Sequence, residues 1–205
     1  YVGTITSFPF RTAAEDVRTQ MLYWKNELST AGLRRGYLTA IAFKVVDTAG
    51  TKAMSSFSVS MKNTTDSNLS TGFRSGMTSV LSMSSYRPQA RWDTLYLDTP
   101  FPWDGSSNLL IETCFDNTGA ASSSFSVERS SMPGYRTTYY TGTGGCGSSA
   151  SFISFERPLI KLIWQPKKYE WSPSAGLHRT VVSAPKASPS GSTTYSLTVT
   201  DSNGC

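Results

Sequence analysis

Apolar and polar side chains alternate with a period of two through much of the chain, the spacing that turns one face of a β-strand into a core. Residues 55–62 (SSFSVSMK) put Phe57, Val59 and Met61 on one face. Residues 37–46 (YLTAIAFKVV) are rich in β-branched and aromatic side chains. Residues 91–98 (RWDTLYLD) alternate through Trp92, Leu95 and Leu97, with one slip that a bulge would absorb. Residues 108–115 (NLLIETCF) are almost continuously apolar, as in a central strand covered on both faces. Further strands are predicted at 122–128, 135–140, 151–155 and 158–164. Clusters of Gly, Ser, Asn and Pro separate them, including Asp104-Gly105 and Gly142 to Gly147, and supply the turns.

Between 14 and 31 the pattern admits two readings. Ala14, Val17, Met21, Trp24 and Leu28 fall at helical spacing. Residues 18–24 can equally form a strand, followed by a short helix from Lys25 to Ala31 that stops at Gly32. After Trp164 the character of the sequence changes. Gln165-Pro166-Lys167-Lys168 reads as a linker; beyond it come an aromatic strand (YEW), a Pro-punctuated stretch and a strongly alternating strand at 194–200. The expected organisation is a β-sandwich over 1–165 and a smaller β segment over 166–205.

Composition supports an all-β chain. Ser and Thr make up about 28% of the 205 residues and charged residues 16%, against about 25% charged in an average globular protein. Such a chain suits short strands and tight turns. The formal net charge is +5, but the 19 Lys and Arg are scattered, with only Arg34-Arg35 and Lys167-Lys168 adjacent. A nucleic-acid surface concentrates its cations, so no nucleic-acid partner is expected. No stretch reaches the length of an apolar membrane-spanning helix. No signal peptide stands at Tyr1, so the sequence is read as beginning at a processed end or inside a longer chain.

Candidate chemistry is sparse. The single histidine, His178, sits in a Gly-Leu-His-Arg turn without an adjacent nucleophile, and Gly72-Phe-Arg-Ser75-Gly76 lacks nucleophile-elbow spacing. Asp98, Asp104, Glu112 and Asp116 could serve carboxylate chemistry, but nothing in their spacing marks a catalytic pair. The expectation is a protein without catalytic activity and without an organic cofactor. A structural calcium ion is conceivable, with Asp104, Asn108 and Asp116 as its oxygen donors, although turn formation alone explains Asp104-Gly105. Among the aromatic residues Tyr23, Trp24, Trp92, Trp103, Tyr139 and Tyr140, Trp92 and Trp103 are candidates for stacking on a sugar, against core packing as the plainer account. The three cysteines, Cys114, Cys146 and Cys205, match no zinc or redox spacing. One pair and one remainder would fit an oxidising compartment.

Two stretches resemble known modules. Phe8-Pro9-Phe10, RTQMLY at 18–23, NELSTAGLRRGYLTAIAFKV at 26–45, DTPFPWDGSSNLLIETCFDN at 98–117 and ERPLIKL at 156–162 occur in that order. Together they resemble a jelly-roll-like module of large secreted surface proteins of Bacteroidota, exported by type IX secretion and often associated with gliding. The resemblance favours a strand followed by a short helix over 18–31. It also places cysteines near 114 and 146, which makes Cys114–Cys146 the expected disulfide, with two separate buried thiols as the alternative. YEWSPSAGL at 169–177 and STTYSLTVTDSNGC at 192–205 resemble part of an immunoglobulin-like or PKD-like repeat, with the strands that would precede Tyr169 missing.

The resemblance implies an extracellular, cell-surface, adhesive role in a multidomain setting. An incomplete sandwich exposes strand edges and apolar faces, which invites pairing with another chain. Residues 169–205, with Tyr195, Leu197, Val199 and Cys205 foremost, are therefore expected to make assembly contacts. The expected partners are other copies of the chain, neighbouring domains of a longer chain, or surface glycans. The competing expectation is a carbohydrate-binding module of a secreted enzyme.

Overall fold

A computed structural model describes residues 4–149 and 152–201. Its strands are β1 (Ile5–Thr6), β2 (Asp16–Tyr23), β3 (Gly36–Asp47), β4 (Met54–Thr64), β5 (Thr78–Tyr86), β6 (Trp92–Trp103) and β7 (Asn108–Asp116). They continue with β8 (Ser126–Ser131), β9 (Thr137–Gly142), β10 (Phe152–Ser154), β11 (Glu156–Pro158), β12 (Ile160–Gln165), β13 (Lys167–Ser172) and β14 (Ser196–Asp201). A short helix, α1 (Lys25–Thr30), follows β2. The chain is an all-β sandwich followed by a β-hairpin, the expected fold class.

One sheet runs β10-β9-β2-β7-β4-β5, with its named pairings antiparallel. In the other, β3 lies between β6 and β12, and beyond β12 its far end pairs with β8, which also carries β1 and β11. Period-two alternation sends Val17, Met21, Phe57, Val59, Met61, Leu109, Ile111 and Phe115 inward from the first sheet. Leu38, Ile41, Phe43, Val45, Leu95, Leu97, Phe101 and Trp103 meet them from the second. Phe10 and Phe43 meet edge to face at 5.0 Å between centroids, and Phe57 lies 4.6 Å from Tyr86. Enclosing a large apolar side chain contributes about 1.5–3 kcal/mol, so this layer is the main source of stability.

Strand β7 is covered on both faces. Its outward Leu110 joins Leu22 and Leu69 beneath the loop that connects β4 to β5. Gln20 pins that loop by accepting from the Arg74 N–H (2.8 Å) and donating to the Arg74 carbonyl (2.7 Å). The bulge expected in 91–98 falls later, in the interrupted ladder between Tyr96 and Phe101. Trp92 therefore faces outward, opposite in parity to Leu95 and Leu97. Asp93 turns inward instead, accepting from the Tyr86 hydroxyl (3.0 Å) and the Gln89 N–H (2.9 Å).

The hairpin of β13 and β14 starts one residue after β12 and pairs Tyr169 with Val199 and Trp171 with Leu197. Its contacts with the sandwich include polar and ring contacts. The Tyr37 hydroxyl donates to the Asp201 carbonyl (3.1 Å), Gln165 to the Val181 carbonyl (3.3 Å), and Arg179 lies 3.6 Å over the Tyr96 ring. No helix among the described residues is long and apolar enough to cross a membrane.

Candidate functional site

The best-formed surface feature is built where β2 passes into α1. Glu27, in the first turn, accepts the Trp24 N–H with its carboxylate and so starts the helix. Gly32, at φ +95°, ends it in a conformation that favours glycine. There the Leu33 N–H donates to the Leu28 carbonyl (3.0 Å) and the Gly32 N–H to Ser29 (3.1 Å), which brings buried Leu28 beside buried Leu33. Opposite them runs β12, whose Ile160, Leu162 and Trp164 pack on the core. The space between is an apolar groove of about 580 Å³. Among the described residues β12 pairs with β3 alone, and its other edge faces the groove without a strand partner there.

One end of the groove is charged. Glu27 and Arg157 form a two-pronged ion pair at 2.6 and 2.7 Å. Arg157 also donates to the Leu22 carbonyl (2.7 Å) and lies 4.0 Å over the ring of Tyr23, whose hydroxyl donates to the Pro158 carbonyl (2.8 Å). Behind them Arg136, 0% exposed, stacks 3.2 Å over Trp24 and donates from Nε to the Pro133 carbonyl (3.0 Å). Among the described residues its Nη1 and Nη2 have no hydrogen-bond partner, nor has Arg157 Nε. Partial burial raises the Glu27 carboxyl, but the hydrogen bond and charge of Arg157, the Trp24 N–H and the charge of Arg136 outweigh it and hold the group below the usual range. Burial, then the charge of Arg157, lowers Arg136. Two cations face one carboxylate, so the cluster carries surplus positive charge.

The second feature is the outer face of the hairpin, where Leu197 and Val199 remain 40% and 39% exposed. Tyr195 differs: its hydroxyl donates to the Ala175 carbonyl (2.8 Å), which engages it within the tail. Cys205 lies outside the described residues.

Cys114 and Cys146 are bonded, with Cα atoms 5.8 Å apart. The bridge fastens the Gly-rich loop to the outer face of the first sheet, assisted by the Gly145 N–H donating to Asp16 (2.8 Å) and Arg18 donating to the Ser148 carbonyl (3.1 Å). Asp16 stands directly opposite Asp116. Its hydrogen bond and charge, then slight burial and Glu15, raise the Asp116 carboxyl above its ordinary value.

The three calcium candidates do not converge. Asn108 and Asp116 are the two ends of β7, about 26 Å apart at strand rise. Asp104 is engaged by the backbone N–H and hydroxyl groups of Ser106 and Ser107. Slight burial works against its ionisation, but those bonds hold it below the usual range. Asn108 accepts from the Lys25 N–H (2.8 Å) and donates to the Asp66 carbonyl (2.8 Å).

The aromatic candidates are likewise occupied. Trp103 is 1% exposed and fills the core, with its indole N–H on the Ser107 carbonyl (3.0 Å), so it offers no face to a sugar and the expectation for it is corrected. Trp92 carries the Lys161 ammonium at 4.1 Å and that of Lys44 at 5.8 Å. Tyr139 lies 3.8 Å from Phe8 and 5.6 Å from Phe152.

Asp98, Glu112 and His178 are dispersed. Asp98 accepts from the Ser82 N–H (3.1 Å) where β5 meets β6, Glu112 holds Arg18 and Gln20 at 2.8 Å, and exposed His178 accepts from the Lys186 N–H (2.8 Å). Glu27, Arg136 and Arg157 were not singled out by sequence reasoning. The only local signal was Glu27 at the third position of the predicted helix; its meeting with Arg157 and Trp24 with Arg136 is purely tertiary.

Fold and surface together define a β-sandwich with an apolar groove along an open strand edge and an appended hairpin. No family model matches the chain, no curated protein matches it, and no solved structure matches it.

Proposed function

We propose that the chain is a structural, adhesive module of a secreted bacterial surface protein, and that copies of it repeat in an extracellular filament joined by strand addition. The observation that carries this reading is the hairpin. Two strands alone are marginal in water, and these present Leu197 and Val199 to solvent. Exposed apolar side chains on an open strand edge favour pairing with another chain. The Cys114–Cys146 bond suits an oxidising, extracellular compartment. The ordered sequence segments that resemble Bacteroidota surface modules point the same way.

A carbohydrate-binding role would need an accessible flat ring. Trp103 is interior and Trp92 lies beside two ammonium groups, so the assembly reading is preferred. Electron microscopy of native material, with sedimentation velocity of the 205-residue chain over a concentration series, tests it. Filaments and concentration-dependent association are expected. A monomer at every attainable concentration refutes the reading.

A further inference from the structure

β2 and β7 set Asp16 and Asp116 directly opposite each other, which places their Cβ atoms about 4.5–5.5 Å apart on one face of the sheet. On its other side Asp16 faces Gly142, which has no side chain. The Gly-rich loop closes over both carboxylates. The Gly145 N–H donates to Asp16 Oδ2 (2.8 Å), and a Cβ on Gly145 would lie 3.4 Å from Asp116 Oδ2. Asp16 is 3% exposed, and its other oxygen, Oδ1, is enclosed with no hydrogen-bond partner among the described residues. An enclosed oxygen without a donor is costly and calls for an ion or water that supplies one. The charge is unbalanced as well. The chain has 19 Lys and Arg against 14 Asp and Glu, and Glu27, Asp66, Glu112 and Glu156 each hold an arginine. No ion pair among the described residues reaches Asp16, Asp116 or the adjacent Glu15. Like charges directly opposed across strands repel.

We infer that Asp16 and Asp116 together bind one calcium ion beneath this loop, the ion taking up the unpartnered Asp16 oxygen and neutralising the opposed charges. Only oxygen donors are offered, and Asp116 is exposed, so water completes the shell on that side. Among the described residues no three His, Cys, Asp or Glu side chains gather for a metal, which makes this a two-carboxylate site. Calcium accepts about six to eight oxygens in irregular geometry, whereas magnesium demands a near-ideal octahedron and gives up water reluctantly. Cys114 lies two residues before Asp116 on the same face, and Cys146 follows Gly145. Ion and disulfide therefore hold the same loop against the sheet.

Calcium chloride is titrated by calorimetry into the full 205-residue chain after treatment with EDTA, with magnesium chloride in parallel. One saturable calcium site is expected, with a Kd on the order of 10⁻⁴ to 10⁻³ M, and weaker binding of magnesium. Calcium at about ten times that Kd should raise the melting temperature by about 3–6 °C and slow reduction of Cys114–Cys146 by dithiothreitol severalfold. Asp16→Asn and Asp116→Asn should each abolish these effects. In EDTA, Asp116→Asn should melt no lower than the parent, because it removes one of two like charges, and this shows that the variant folds. Equal binding of magnesium overturns the assignment to calcium. Calcium binding that survives in both variants places the ion elsewhere, and a chain indifferent to calcium holds the pair by a shared proton; either result overturns the site.

Discussion

Phe57 in β4 and Leu197 in β14 occupy strands of the same alternating type, yet one side chain is fully enclosed and the other is 40% exposed. The difference lies in what faces each strand. β4 has strand partners on both sides and a second sheet across the core. Among the described residues β14 has one strand partner, β13, and the contacts of its hairpin with the sandwich include Tyr37 on Asp201 and Arg179 on Tyr96. Alternation makes a face; a second layer makes it a core. Where that layer is absent, the face is available to another chain.

That contrast can be broken in a graded way. Phe57→Ala removes a side chain from the aromatic core and is expected to cost about 3–5 kcal/mol, measured by urea denaturation. Replacing Cys114 and Cys146 together by Ala opens a bridge with a sequence separation of 32 and is expected to lower stability by about 3–4 kcal/mol. Glu27→Gln leaves two arginines without their carboxylate and is expected to cost about 3 kcal/mol. The sign of its pH dependence follows from the lowered carboxyl. The stabilisation is fully present above the ordinary glutamate range, near about 4.3, and is lost as pH falls through that value toward the folded one. A Glu27→Gln chain should therefore lose less stability on acidification than the parent. The smallest effect belongs to the hairpin: Leu197→Ser with Val199→Ser should change folding stability by less than about 0.5 kcal/mol while suppressing association. A large loss of stability there would mean that the hairpin face is already packed within its own chain.

Much of the sandwich was legible because its strands carry their own period. Phe57, Val59 and Met61 all point inward as their spacing demands, and Leu109, Leu110 and Ile111 are buried on two faces as a continuous apolar run demands. The strand-then-helix reading of 18–31 holds because Glu27 and Gly32 supply a start and a stop. β5 escaped notice: adjacent Val80 and Leu81 in a Ser-rich segment break the alternation, at a register shift against β4. Trp92 and Trp103 show the complementary limit. Both are aromatic residues of one strand, but an interrupted ladder between them decides which meets solvent. The groove was not legible at all, since its charged end joins Glu27 to Arg157, with Trp24 and Arg136 stacked behind them, residues that share no local pattern. Leu197 and Val199 were legible as an alternating pair, and their exposure follows from a partner layer that local sequence does not encode.

Hydrogen exchange measured by mass spectrometry over a concentration series tests the central claim most directly. The account predicts that amides of β14 become protected as concentration rises, while those of β4 and β7 stay unchanged. Exchange in β14 that is independent of concentration would contradict it.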